Sequence, residues 1–375
     1  MARLIYADNA ATTKLDIDAF EAMKPFLLEE YGNASQPYSF ARSAKSALKQ
    51  ARETIARCIG ALPEEVFFTS GGTESNNWVI KSSALADQAK RTTITSQIEH
   101  HALLHSCASI EQLGYPVVYL PVTTDGRLLP ETLKRAINEE TRLVSVMMVN
   151  NEVGTIEPIS ELVEIAHKHD AIFHTDAVQA VGHIPIDVKK LGVDMLSASG
   201  HKFNAPKGVG FLYIKKGIKL NPYADGGAQE FGMRAGTENV AAIVAMARAL
   251  KKNCSVMQEV HSKLARMEKV FFHTLNSAKI DYILNRAELH LPGNINISVK
   301  GASGEMLLHR LDLMGICIST GSACDSANTQ VSHVIQAIGV PQEYAEGTVR
   351  ISFGKDNEEH DAISVANAIV KILCK

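Results

Sequence analysis

The stretch RLVSVMMVNNEVGTIEPISELVEIAHKHDAIFHTDAVQ (residues 142–179) decides the fold. It opens on a β-rich apolar run, RLVSVMMVN, and leads into ISELVEIAHKHD, an amphipathic segment of helical length. A second apolar run, AIFHTDAV, follows directly. A strand that is apolar almost throughout is buried on both faces, and two such strands joined by a helix belong in a parallel sheet. The alternation extends outward in both directions, from about Glu65 to Ile214. EVFFTS precedes a helix near Thr73, TTITSQ leads to a helical stretch from His101, and PVVYLPV to LPETLKRAIN, before the strands DMLSAS and GFLYIKK. The pattern predicts an α/β fold, a mostly parallel sheet covered by helices on both faces.

After about Lys252 the pattern changes. A long helix within 241–277 leads to NINISVK, a helix SGEMLLHRLDLMG, a cysteine-bearing loop, TVRISFG and a last helix. This reads as a smaller α+β domain. The expected division is 15–255 for the large domain, with 1–14 and 256–375 forming the small one.

Composition narrows the function. With 375 residues, 21% of them charged, and a net charge of −3, bulk charge does not make this chain a polyanion binder. No apolar run approaches the ~20 residues of a membrane span. A soluble, cytoplasmic protein without a membrane or strong nucleic-acid signal is expected. The six cysteines form no C-x-x-C pair, so no metal site is signalled. Cys58, Cys107, Cys254, Cys317 and Cys374 sit in or beside helical or apolar patterns and read as small hydrophobes. Cys324 differs. It lies in STGSACDSANTQVSH (319–333), among small and polar residues, where a solvated loop of low packing energy is expected.

Three motifs carry chemistry. In FFTSGGTESNN (67–77) a strand ends, Gly71 and Gly72 allow close backbone approach, and Thr73 opens a helix whose N-terminus favours an anion. Taken alone this is an ordinary strand–turn–helix. In HTDAVQ (174–179), Asp176 stands at the carboxyl end of an apolar strand, where a carboxylate can hold a protonated ring nitrogen. In SASGHKFNAPKGVG (197–210), Lys202 follows a strand and a histidine, a setting that suits a Schiff-base lysine. A lysine, a ring-nitrogen carboxylate and a phosphate cradle together are the protein machinery of pyridoxal phosphate chemistry.

With YADNAATT, IEHHA, NNEVGT, RAGTEN and GSAC added, the chain from Tyr6 to about Phe353 resembles the NifS/IscS-type cysteine desulfurases. These are class V aminotransferase-like enzymes of fold type I. The resemblance implies pyridoxal 5'-phosphate held covalently by Lys202, with Asp176 on the ring nitrogen and Gln179 on the phenolic oxygen. His100 would stack on the ring and serve in acid–base steps. Gly72, Thr73, Ser199 and His201 would hold the phosphate, joined by Thr237 from the other subunit of a homodimer. Asn151 would lie near cofactor and substrate, and Arg350 would clamp the carboxylate of L-cysteine. Cys324 would take the sulfur as a persulfide, releasing alanine, and pass it to an acceptor such as an iron–sulfur scaffold or a tRNA-thiolation enzyme. The alternatives are a selenocysteine lyase, a class V aminotransferase, or a non-catalytic sulfur-relay partner. Against the family pattern, NTQV after Cys324 departs, as do Ala228 and Phe231 in GGAQEFGMRAGTEN.

Overall fold

The computed structural model describes residues 3–86, 90–321 and 331–374. Its strands are β1 (Ile5–Tyr6), β2 (Val66–Thr69), β3 (Thr92–Ser96), β4 (Val117–Leu120), β5 (Thr141–Ser145) and β6 (Ile172–Asp176). They continue with β7 (Met195–Ser199), β8 (Gly210–Ile214), β9 (Tyr282–Leu284), β10 (Asn294–Val299), β11 (Ile316–Cys317) and β12 (Thr348–Ser352). The helices are α1 (Ile17–Leu28), α2 (Arg42–Ile59), α3 (Gly72–Leu85), α4 (His101–Gln112), α5 (Pro130–Ala136) and α6 (Ile159–Lys168). After them come α7 (Val188–Leu191), α8 (Val240–Ser277), α9 (Gly304–Asp312), α10 (His333–Ala337), α11 (Gln342–Ala345) and α12 (Glu359–Leu373). Among the described residues no helix is long and apolar enough to cross a membrane.

The main sheet has seven strands in the order β2-β8-β7-β6-β5-β3-β4. Only β8 runs against its neighbours; the pairs from β7 to β4 are parallel. The apolar runs are explained by which face each residue serves. Val144, Phe173, Leu196 and Phe211 join one core with α2, α6 and the first half of α8. Their chain neighbours Leu143, Ile172, Met195 and Leu212 join a second core with Trp78 of α3 and Leu103 of α4. Period-two alternation is thus present, but both faces are apolar, and it vanishes from the hydropathy pattern. Buried Asp194 fixes the β6–β7 end, accepting hydrogen bonds from Phe173 N at 2.9 Å and Lys215 Nζ at 3.2 Å.

A second sheet, β12-β10-β9, is antiparallel and packs with α9, α12 and the second half of α8. Leu264, Met267, Phe271 and Leu275 of α8 belong to this core, whereas Ala242, Met246 and Leu250 belong to the first. The single helix of 38 residues, about 57 Å long, therefore serves both cores. The pair β1–β11 had no counterpart in the sequence reading, because two-residue strands carry no periodicity.

Gly210 shows how tightly the sheet is packed beneath the Gly71–Gly72 turn. A Cβ there would lie 2.4 Å from Ala198 O and 2.7 Å from Gly71 Cα. Gly210→Ala is expected to cost about 2–3 kcal/mol, because backbone and not a flexible side chain must give way. The measurement is urea unfolding, and an unchanged midpoint would contradict this account of the turn.

Candidate active site

The carboxyl ends of the parallel strands converge on one cleft of about 240 Å³. The turn after β2 brings Gly72 and Thr73, the turn after β5 brings Met147 and Asn151, and β6 ends in Asp176, with Gln179 just beyond. β7 ends in Ser199, and a single 3-10 turn, Gly200–Lys202, carries His201 and Lys202 into the same space. His100 caps α4, and Arg350 enters from β12 of the second sheet. Ten of the residues singled out in the sequence line this one cleft. Thr237 does not line it, and Cys324 lies outside the described residues.

Each side chain is held by identifiable partners. Lys202 Nζ donates to the carbonyls of Ala10 at 2.6 Å and Ala11 at 2.8 Å. Gln179 Nε2 donates to the same Ala10 carbonyl at 2.8 Å. Asp176 is 4% exposed and accepts from Val178 N at 2.9 Å and from Asn76 Nδ2 at 2.6 Å. His100 Nδ1 accepts from Ala102 N at 3.1 Å. A backbone N–H can only donate, so the neutral ring carries its proton on Nε2. Burial lowers the His100 pKa and Asp176 opposes this, while the cation of Lys202 adds to the lowering. His201 is pushed down to about 4 by burial and then by Lys202, and its Nδ1 lies 3.1 Å from Thr12 Oγ1. Arg350 is 1% exposed; its Nη2 donates to Asp8 Oδ1 at 2.8 Å and its Nη1 to Asn151 O at 3.1 Å.

Asn76, Asp8, Thr12 and the carbonyls of Ala10 and Ala11 were not assigned roles from the sequence. YADNAATT carried the signal for the N-terminal group, and nothing in its composition says that the segment crosses the cleft. Asn76 stands four residues after Gly72, on the same inward face of α3, and that spacing was the available clue. The departures from the family pattern have a structural setting. Glu230 and Phe231 hold left-handed φ values of 45° and 59°, and Glu230 pairs with Arg52 through two hydrogen bonds, at 2.7 and 2.8 Å. Phe231 is exposed and its ring faces that same guanidinium. Arg234, at the head of RAGTEN, makes two hydrogen bonds to Glu74, at 2.9 and 3.2 Å, which ties this segment to the start of α3.

The donor set fits pyridoxal phosphate. It offers an amine for an aldehyde, a buried carboxylate for a ring nitrogen, and hydroxyl, imidazole and helix-terminal N–H groups for a phosphate. Asn76 Oδ1 and Arg350 Nε, both buried, have no hydrogen-bond partner within the described protein, so the cleft also holds polar capacity for a ligand.

Behind the site, burial holds the carboxyls of Glu99 and Glu157 up at about 8. The native state then keeps protons that the unfolded chain has released, so each group lowers stability as pH rises from about 4.5 towards 8. Between about pH 6.5 and 8, Glu157→Gln is expected to lose less stability than the parent chain, the histidine contribution being common to both. Urea midpoints at the two pH values test this, and parallel losses would rule out a raised carboxyl.

The chain matches the family Aminotransferase class-V over residues 5–364. It is 47% identical over 377 residues to the cysteine desulfurase IscS of Dictyoglomus turgidum, covering 100% of this chain and 96% of that protein. Among solved structures, a NifS-like protein superposes with a TM-score of 0.94 at 37% identity, covering 99% of this chain and all of that one. A structure described as SspA in complex with cysteine gives 0.83 at 34% identity over 93% of this chain and 98% of the other. Full-length likeness in sequence and fold places the chain in the class-V aminotransferase family, among the NifS/IscS-type cysteine desulfurases.

Proposed function

We propose that the protein converts L-cysteine to L-alanine, retaining the sulfur as a persulfide on Cys324 for transfer to an acceptor. The observation that carries this reading is the meeting of Lys202, Asp176, His100 and Arg350 in one cleft. The full-length likeness to cysteine desulfurases, and the likeness to a protein described in complex with cysteine, support it.

Bound in the cleft, pyridoxal phosphate supplies an aldehyde for an amine and a ring that accepts electron density from the substrate Cα. Lys202 would anchor the cofactor through its amine and would move the substrate Cα proton. Asp176, oriented by Asn76 and Val178, accepts the ring N–H. Gly72, Thr73, Ser199 and His201 would receive the phosphate, whose negative charge would oppose the burial and the Lys202 cation that push His201 down in the free cleft. His100, which would stack on the ring, carries its proton on Nε2 and can take up a second on Nδ1 only by surrendering its bond to Ala102. Arg350 receives the substrate carboxylate in competition with Asp8. The Cys324 thiolate forms a bond to the substrate sulfur as the Cβ–S bond breaks, and Cβ takes a proton to give alanine. A free thiol titrates near ~8.5, so docking of the substrate and loop in the cleft supplies the activation.

The same reading assigns a homodimer in which Thr237 completes the partner's phosphate site, and a sulfur acceptor from iron–sulfur assembly or tRNA thiolation. It also assigns a large unit, 15–255, and a smaller one made of 1–14 and 256–375, joined by α8. The likeness to cysteine desulfurases favours this substrate over selenocysteine lyase or aminotransferase activity.

The deciding experiment incubates the cofactor-loaded protein with L-cysteine under reducing conditions and measures alanine and sulfide. Equal yields are expected, and absence of alanine refutes the reading. Cys324→Ser should keep the visible cofactor absorbance while sulfide release falls by at least ~10²-fold. Arg350→Ala should raise KM for cysteine on the order of 10²-fold, since one partner of a buried charge pair is lost.

A further inference from the structure

A smaller cavity, of about 60 Å³, adjoins the catalytic cleft. It is walled by α8, by the start of β10 and by the turns after β6 and β12. Ala10 and Gln179 line both cavities, and His183, on the wall of the smaller one, sets its Nε2 2.9 Å from the carbonyl of Lys202.

Two asparagines on this wall carry unused hydrogen-bonding capacity. Asn294 is 3% exposed, yet neither its Nδ2 nor its Oδ1 has a partner. Asn253 is 6% exposed; its Nδ2 donates to Asn204 Oδ1 at 3.2 Å, and its own Oδ1 has no partner. A buried amide without partners is destabilising, and packing alone would favour an apolar side chain of the same shape. Asn294 is also closely seated: a Cβ on Gly154, whose φ is +77°, would lie 3.2 Å from Asn294 Nδ2. The backbone there closes one side of the amide.

The unpartnered atoms define what the cavity would accept. Asn294 offers one donor nitrogen and one acceptor oxygen, and Asn253 adds a second acceptor oxygen. Their complement is a group with one acceptor oxygen and two N–H bonds on a single nitrogen, which is a primary carboxamide. An anion fits poorly, because two carbonyl oxygens face the space and the nearby cation of Lys355 is already paired with Asp16 at 2.6 Å. Val256, Val260 and Leu264, spaced four residues apart along α8, supply an apolar wall for a short alkyl group. At ~15 Å³ for each water-sized group, the volume admits about four non-hydrogen atoms.

We propose that this cavity is a binding site for a short-chain primary carboxamide, separate from the catalytic cleft and divided from it by Ala10 and Gln179. Asn294 Nδ2 donates to the ligand carbonyl. The ligand nitrogen donates one hydrogen to Asn294 Oδ1 and the other to Asn253 Oδ1.

The test uses acetamide, which is of the required size, on the cofactor-loaded protein. Soaked crystals are expected to show it between Asn294 and Asn253, and saturation-transfer NMR measures its affinity in solution. Acetone has nearly the same shape with a methyl group in place of the NH2. It should bind at least ~10-fold more weakly, because both asparagine oxygens then stay unpaired. Asn294→Leu should weaken acetamide binding to a similar degree, and its cofactor absorbance and unfolding midpoint check that the variant is folded. The acetone comparison needs no variant and decides the matter by itself if that chain fails to fold. Water alone in the cavity, equal affinity for acetone and acetamide, or acetamide only in the cleft that holds Lys202 would overturn the proposal.

Discussion

The ammonium of Lys202, held between the carbonyls of Ala10 and Ala11, is the contact on which the arrangement of the site depends. Charge-assisted bonds of this kind contribute about 1.5–3 kcal/mol each. They draw the segment around residues 5–16 across the cleft, and that segment then touches nearly every element of the site. Ile5 pairs with Ile316, Asp8 with Arg350, Ala10 with Gln179 and Ser352, and Thr13 with the His201 carbonyl. Its far end is fixed by Asp16, which Lys355 and Lys252 hold down at about 2 against the cost of burial.

These contacts also explain why the cleft is self-satisfied. Lys202, Gln179 and Arg350 each spend donors on this segment or on Asn151. Ligands must replace those bonds as they form their own, so much of the affinity comes from exchange of hydrogen bonds, with Arg350 Nε and Asn76 Oδ1 left over as unpartnered capacity. Asp176 is different, because its partners Asn76 and Val178 leave the carboxylate oriented but not neutralised by a cation. A fixed negative charge in a dry setting is what a ring nitrogen must meet to stay protonated.

Much of this was legible in the sequence. Apolar runs alternating with amphipathic segments gave the sheet and its helices, because burial on both faces imposes that composition. Lys202, Asp176 and the Gly72–Thr73 turn could be placed because strand ends in α/β sheets converge, and His100 because of the resemblance to the family. The contribution of residues 8–12 was not legible, since it is made largely through backbone carbonyls, which leave no mark on residue type. Thr237 could be named from its motif, but in one chain it stays away from the cleft, and Cys324 falls outside the described residues.

The long helix α8 has a thermodynamic consequence. Its first half is part of the core under the seven-stranded sheet, and its second half is part of the core under the three-stranded one. Melting either core strips that stretch of α8 of its packing, and an isolated helix segment is marginal in water. Loss of order then propagates along the rod into the other core. The two sheets are thereby coupled into a single cooperative unit, which should absorb heat in one calorimetric peak where two loosely tethered domains would give two.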